Sequence, residues 1–197
     1  MPLSAFSSAS SSGNEKFKIV LFGDSIIAGY GLPEEDTLPF KLEKFLTAQG
    51  KEVSVINAGV SGDTSSGGVA RLKWTLETYK PDLLFIGIGG NDMLRGVSPS
   101  IVKTNIENML ETANQFGVRV ILNEVKSSPN LGKIYQKQFD DIFLDIKKTH
   151  NVETYPFLLT HIFGKKDLMQ SDLIHPSAEG VNVVITGFGP YMAKFVD

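Results

Sequence analysis

The chain has 197 residues, 42% of them hydrophobic and 21% charged, and a formal net charge of −3. This length and apolar content suffice for one sizeable core, while the scattered charges indicate neither a nucleic-acid partner nor binding to an anionic membrane surface. Cysteine is absent, which excludes a disulfide framework, a thiolate metal site and a cysteine nucleophile. Residues 1–16 are rich in serine and lack the basic and apolar regions of an intact export signal. We expect them to form a flexible leader before a single domain at 17–197.

Five apolar runs alternate with helix-like stretches along the rest of the chain. Near-continuous apolar strands are typical of a parallel sheet that is covered on both faces. The strands are predicted at 17–22, 53–57, 82–88, 118–122 and 152–155, and the helices at 36–49, 64–79, 99–116, 133–149 and 177–195. This alternation predicts a three-layer α/β/α sandwich around a five-stranded parallel sheet.

Polar residues and glycines follow three of the predicted strands. Ser25, the segment 59–64 and Asn91 all lie just beyond the carboxyl ends of strands. In open α/β sheets, ligands bind at this edge. We therefore expect the functional site there.

Ser25 and His175 supply the chemistry that these positions need. A serine hydroxyl is a weak nucleophile until a histidine removes its proton, and a carboxylate fixes the tautomer of that histidine. Asp172 lies three residues before His175 and is the candidate carboxylate. The three residue types predict acyl transfer to water, with no cofactor.

Other sites common on such sheets do not match the sequence. The segment 87–92 lacks the third glycine of a dinucleotide fingerprint, and there is neither a Gly-Lys-Ser/Thr phosphate loop nor a G-x-S-x-G elbow. A phosphate cradle after the first strand is disfavoured because Asp24 would repel the phosphate. The three histidines are not spaced as metal ligands, and no apolar run reaches the roughly 18 residues of a membrane span. We therefore predict no metal and no stable membrane insertion.

Four short segments give the chain a family resemblance. They are Gly-Asp-Ser at 23–25, the segment 57–64 with Gly62 as the matching glycine, Gly-Gly-Asn-Asp at 89–92, and Asp-Leu-Ile-His-Pro at 172–176. In this order they resemble the four blocks of the SGNH hydrolases, or GDSL-type esterases, over nearly the whole chain from about Lys18. The extended strings at 60–65 and 89–96 are most similar to the bacterial thioesterase I, arylesterase and lysophospholipase branch. The resemblance implies a flavodoxin-like fold and hydrolysis of a small acyl ester or thioester.

The resemblance also implies roles for individual residues. Ser25 would attack the acyl carbon, His175 would act as base and then as acid, and Asp172 would orient His175. The backbone N–H groups of Ser25 and Gly62 and the side-chain amide of Asn91 would form the oxyanion hole. Asp24 and Asp92, each beside a catalytic block, are interpreted as residues that hold loops by hydrogen bonds.

Substrate contacts are expected after the third block, in the loop after the fourth strand and at the mouth of the site. The predicted positions are Asp24, Leu94, Arg95, Val125, Lys126, Ser127, Ile174 and Pro176. Relatives often carry an aliphatic residue and a proline where Ser127 and Ser128 stand, so we expect a more polar wall here. Such a wall would weaken the gain of about 0.8 kcal/mol for each buried CH₂. We therefore expect a preference for short- to medium-chain acyl or aryl esters.

Two alternatives come from other classes of protein. One is a carbohydrate acetylesterase on the same fold, which would favour an open polar groove. The other is a non-catalytic flavodoxin-like binding module, against which the four intact residues Ser25, Asn91, Asp172 and His175 argue. The branch is often exported to the periplasm or secreted, yet no export signal is present in this sequence. The sequence therefore leaves both a periplasmic or secreted and a cytoplasmic location open. It also leaves the oligomeric state open.

Overall fold

The computed structural model describes residues 15–196, so the predicted leader, apart from its last two residues, lies outside the described residues. Its strands are β1 Phe17–Gly23, β2 Val53–Gly59, β3 Leu83–Gly87, β4 Arg119–Asn123 and β5 Glu153–Tyr155. Its helices are α1 Ser25–Ala28, α2 Leu38–Ala48, α3 Ser65–Tyr79, α4 Gly90–Leu94, α5 Pro99–Gln115, α6 Lys133–His150 and α7 Ala178–Met192. The five strands are parallel, in the order β2-β1-β3-β4-β5. The prediction of an α/β fold with a five-stranded parallel sheet is confirmed.

Alternate residues of each central strand enter different cores. Ile19 and Leu21 of β1 belong to the core beneath α2 and α7, which pack on each other. Val20 and Phe22 belong to the core on the opposite face, where α5 packs against α3 and α6. Because side chains alternate across a strand, one apolar run fills both interfaces of the sandwich.

Three glycines lie side by side where β1, β2 and β3 end. Gly23 pairs with Gly59 on one side and with Gly87 on the other. A Cβ on Gly23 would overlap the carbonyl oxygen of Gly87, and a Cβ on Gly59 would overlap the backbone of Ala28 in α1. The glycines therefore let the short helix α1 lie directly against the carboxyl edge of the sheet.

The longer helices begin and end near the predicted positions. Thr64, predicted to open the second helix, caps α3 by accepting a hydrogen bond from the N–H of Gly67. Gly50 and Gly117 follow α2 and α5 with φ angles of 79° and 68°, the left-handed conformation that suits glycine after a helix. No helix within residues 15–196 is long and apolar enough to cross a membrane.

Candidate active site

Ser25 is the first residue of α1 and is separated from the end of β1 only by Asp24. The carboxylate of Asp24 caps this helix by accepting a hydrogen bond from the N–H of Ile26, at 3.1 Å. Gly29 closes the helix in the left-handed conformation, with φ 76°. The turn from strand to helix thus fixes Ser25 at the carboxyl edge of the sheet, where the sequence predicts the site.

The structure brings Ser25, His175 and Asp172 into one chain of hydrogen bonds. The Oγ of Ser25 lies 2.8 Å from Nε2 of His175, a residue 150 positions away in the sequence. The other ring nitrogen, Nδ1, lies 2.6 Å from Oδ2 of Asp172. Both distances suit hydrogen bonds, and a serine, an imidazole and a carboxylate linked in this order can act as nucleophile, base and orienting acid.

Asp172 is held by the backbone of its own loop. Its Oδ1 accepts hydrogen bonds from the N–H of His175, at 3.0 Å, and of Ile174, at 2.9 Å. Hydrogen bonds lower the pKa of Asp172 to about 2. The largest effect comes from the backbone N–H of His175, followed by the His175 side chain and the N–H of Ile174. The carboxylate is therefore ionised wherever the imidazole can act as a base.

Leu173 has an unusual backbone conformation in this loop. Its φ is 58°, in the left-handed region that non-glycine residues rarely adopt. This turn aims two successive N–H groups at one oxygen of Asp172. Strained backbone that is retained beside reactive groups is typical of sites where geometry matters more than local stability.

Gly62 lies in the loop between β2 and α3, and Asn91 lies in α4, which follows β3. Gly62 has a φ of 81°, and its carbonyl accepts a hydrogen bond from Nη2 of Arg95, at 3.0 Å. Nδ2 of Asn91 donates to the carbonyl of Asp63, at 2.9 Å, which fixes the amide while leaving its second hydrogen for another acceptor. Among residues 15–196, neither the N–H of Ser25 nor that of Gly62 has an acceptor. These are the donors that an oxyanion site needs.

Arg71 of α3 joins the loops around the site, and the sequence reasoning missed it. Its Nε donates to Oδ2 of Asp63 at 2.7 Å, Nη1 to the carbonyl of Ala58 at 2.8 Å, and Nη2 to the carbonyl of Gly23 at 2.9 Å. The guanidinium also lies 3.8 Å from the centre of the Phe22 ring. A sequence signal existed, because helical spacing places Arg71 on the inward face of α3, where an arginine needs partners.

Asp92 performs the loop-holding role that the sequence suggested for it. Its side chain is almost fully buried and accepts hydrogen bonds from both the N–H and the hydroxyl of Ser65, each at 2.7 Å. Asn105 of α5 donates to the same hydroxyl at 2.9 Å. The network ties α4, which carries Asn91, to the start of α3.

Asp24, the residue before Ser25, is also a buried carboxylate. Burial raises its pKa to about 6, against the hydrogen bond from Ile26 and the attraction to His175, which both favour the charged form. The residue is 6% exposed. Asp24 thus caps α1 at an electrostatic cost.

The eight positions predicted to contact substrate fall into an exposed group and a buried group. Leu94, Arg95, Lys126 and Ile174 are exposed, whereas Asp24, Val125, Ser127 and Pro176 are buried. Val125 packs in the core beneath α5 and α6, and the N–H of Ser127 is bonded to Asp140 of α6, at 2.8 Å. The expected polar wall at Ser127 is therefore wrong, because this loop is drawn against α6 and its serine faces inward.

An exposed aromatic side chain lies next to the histidine instead. The ring of Tyr30 lies 4.7 Å from the imidazole of His175, centre to centre, and Tyr30 is 53% exposed. Leu94 and Ile174 are about half exposed. His161, which lies in an apolar stretch of the sequence where packing is expected, is instead exposed. An exposed aromatic ring thus lies against the imidazole of His175.

Comparison with known proteins gives three kinds of match. A family model described as the GDSL-like Lipase/Acylhydrolase family matches residues 21–183. The arylesterase of Vibrio mimicus is 36% identical over 189 residues, covering 96% of this chain and 90% of that protein. Thioesterase 1/protease 1/lysophospholipase L1 of Escherichia coli K12 is 30% identical over 161 residues, covering 82% and 76%. The crystal structure of the psychrotrophic esterase EstA from Pseudoalteromonas sp., inhibited by monoethylphosphonate, matches with a TM-score of 0.87 and 31% identity, over 91% of this chain and 98% of that one.

Proposed function

Because the chain belongs to the GDSL-like lipase/acylhydrolase family and is a carboxylic ester hydrolase, we propose that Ser25, His175 and Asp172 perform the hydrolysis. The family resemblance expected from the four sequence blocks is confirmed. A non-catalytic binding module is thereby set aside. The observation that carries the proposed roles is the continuous pair of hydrogen bonds from Ser25 through His175 to Asp172.

The first half of the reaction forms an acyl-enzyme. Nε2 of His175 takes the hydroxyl proton of Ser25 as Oγ attacks the acyl carbon, and the carbonyl oxygen becomes an oxyanion. The N–H groups of Ser25 and Gly62 and the amide of Asn91 donate hydrogen bonds to this oxyanion. The imidazolium, held by ionised Asp172, then passes its proton to the leaving alcohol as the bond between carbon and leaving oxygen breaks.

The second half returns the enzyme to its starting state. Water attacks the acyl carbon while His175 accepts one of its protons, which regenerates the oxyanion in the same position. Collapse of this intermediate breaks the bond to Ser25 Oγ, and the proton on His175 returns to the serine. The products are a carboxylic acid and the free enzyme.

We propose short- to medium-chain acyl and aryl esters as substrates. The exposed side chains Leu94, Arg95, Lys126 and Ile174 would contact them, since a buried side chain cannot reach a substrate without movement of its loop. An open rim covers only part of a long acyl chain. Each added CH₂ should therefore contribute less to the binding free energy than a fully buried CH₂, which contributes about 0.8 kcal/mol. The exposed ring of Tyr30 can cover an aromatic leaving group beside His175.

The same exposed ring favours a second candidate substrate, an acetylated carbohydrate. Sugars bind by stacking on aromatic rings, and Tyr30 offers one beside the base. Release of acetate from acetylated xylan, compared with hydrolysis of 4-nitrophenyl acetate, butyrate and decanoate, separates the two substrates. Faster turnover of the xylan would favour the carbohydrate acetylesterase.

The test of the catalytic roles compares wild type with Ser25→Ala on 4-nitrophenyl butyrate. We expect Ser25→Ala to lose at least about 1,000-fold in kcat, since removal of a triad member leaves only binding and oxyanion stabilisation. Ser100→Ala, an exposed serine at the start of α5, is the matched control and should keep full activity. Equal activity in wild type and Ser25→Ala would overturn the proposed roles. A rate that rises steadily from butyrate to palmitate would overturn only the chain-length preference.

A further inference from the structure

Gln170 lies between the loop that follows α1 and the loop that carries His175. Its Nε2 donates to the carbonyl of Tyr30 at 2.7 Å and to the carbonyl of Pro176 at 3.1 Å. Tyr30 follows α1, whereas Pro176 follows His175 directly. Since an amide nitrogen carries two hydrogens, both donors of this side chain are used to join segments that are about 140 residues apart in the sequence.

The connection reaches the reacting residues through single backbone hydrogen bonds. On one side, the N–H of Tyr30 donates to the carbonyl of Ser25 at 3.0 Å. On the other, the N–H of Gln170 itself donates to the carbonyl of His175 at 2.8 Å. The backbones of nucleophile and base are thus linked through one glutamine.

The packing around Gln170 leaves its amide little freedom to turn. A Cβ on Gly31 would overlap Oε1 of Gln170, so the backbone after Tyr30 lies directly against this oxygen. The carbonyl of Gln170 accepts the N–H of Leu173 at 2.9 Å, and Met169 pairs with Pro176 in an antiparallel bridge. Gln170 is therefore the fixed end of the loop that carries Asp172 and His175.

We propose that Gln170 is a positioning residue that sets the distance between Ser25 Oγ and His175 Nε2. The inference rests on the catalytic roles proposed above for these two residues. It gives Gln170 no contact with the substrate. Its contribution is to keep the two loops in the register that gives the hydrogen bond of 2.8 Å. A misplacement of about 1 Å between reacting groups can cost about 100-fold in rate.

Gln170→Glu is the sharpest test, because it keeps the shape of the side chain and removes both donors. At neutral pH a carboxylate oxygen would face the carbonyls of Tyr30 and Pro176, and the loops would separate. We expect kcat on 4-nitrophenyl butyrate to fall about 10- to 100-fold, with KM within about twofold of wild type. The rate of inactivation by an organophosphonate should fall by the same factor as kcat/KM, because it needs the same serine and histidine.

The pH dependence of this variant separates positioning from a general loss of structure. A protonated carboxyl can donate one hydrogen bond, and two facing acceptors favour that form. The ratio of variant to wild-type kcat should therefore rise as the pH falls from 8 to 5, since the effects of all groups that the two proteins share cancel in the ratio. Gln170→Met, which is similar in length and cannot donate, should show a reduced ratio that stays constant with pH.

Gln138→Glu makes the same substitution at an exposed position of α6 and should retain wild-type kcat. A kcat within twofold of wild type in both Gln170→Glu and Gln170→Met would overturn the proposal, as would an equal loss in Gln138→Glu. A loss in Gln170→Glu that does not change with pH would overturn the donor role. If Gln170→Glu does not fold, Gln170→Met and the shorter Gln170→Asn decide, measured well below their melting temperatures. Loss in Ser25→Ala without loss in the Gln170 variants would overturn this inference alone and leave the proposed function intact.

Discussion

Replacing Asp24 by asparagine tests the electrostatic cost of a carboxylate buried beside the nucleophile. Asparagine has nearly the same shape and caps helices as well as aspartate does, so its Oδ1 can still accept the N–H of Ile26. The substitution therefore removes the charge and leaves the cap. Any change in the free energy of unfolding that depends on pH then comes from ionisation of Asp24.

The sign and size follow from the two pKa values of this carboxyl. Burial raises the pKa from 3.8 to about 6, so the folded protein binds the proton more tightly than the unfolded chain. The contribution of Asp24 to the free energy of unfolding of the wild type is therefore largest below pH 3.8 and falls as the pH rises to about 6. The two values differ by about two pKa units, which corresponds to about 3 kcal/mol above pH 6.

Urea unfolding of wild type and Asp24→Asn at pH 4, 5, 6, 7 and 8 measures this cost. The variant should lie within about 1 kcal/mol of wild type at pH 4 and gain on it through pH 6, to a plateau of about 3 kcal/mol. The m-value should be the same in both proteins. A difference that does not change between pH 4 and pH 7, or a variant less stable than wild type at pH 7, would refute the reasoning.

Two other substitutions probe the remaining charged groups of the site. Asp172→Asn should show the opposite pH dependence: the pKa of Asp172 is lowered to about 2, so its stabilising contribution is present above pH 3.8 and is lost as the pH falls towards 2. The same variant should lose about 10⁴-fold in kcat, because an amide leaves the imidazole in the wrong tautomer; activity close to wild type would contradict the orienting role. Arg71→Lys should lower kcat about tenfold, because lysine cannot bond Asp63 and two carbonyls together. Arg71 bonds the side chain of Asp63, whose carbonyl fixes the Asn91 amide, so the loss from Arg71→Lys should largely disappear in an Asn91→Ala background. If the two substitutions are instead fully additive, Arg71 does not act through Asn91.

The parts of the fold that the sequence predicted are those that repeat a pattern over many residues. The strands are near-continuous apolar runs, the five longer helices are long stretches between them, and their predicted bounds differ from the structure by a few residues. Helices α1 and α4 have only four and five residues, too few to show a helical period. They nevertheless carry Ser25 and Asn91. Here the chemistry of the residues, rather than any periodicity, located the site.

What the sequence could not supply were contacts between distant loops. Ser127 is polar in a loop, which favours exposure, but its N–H is bonded to Asp140 and its side chain faces inward. Gln170 has no motif of its own, and its importance arises only when the fold brings Tyr30 and Pro176 to either side of it. Neither arrangement depends on local propensity, so no local pattern could have indicated it.

The two halves of the candidate site differ in how firmly they are held. Ser25 follows a central strand, and the loops of Gly62 and Asn91 are tied to α3 through Arg71 and Asp92. The loop of His175 lies outside the sheet, held by its short bridge and by Gln170. The distance between serine and imidazole therefore depends on the less supported half. Substitutions in that loop should lower kcat before they lower global stability, whereas substitutions at the strand end should lower both together.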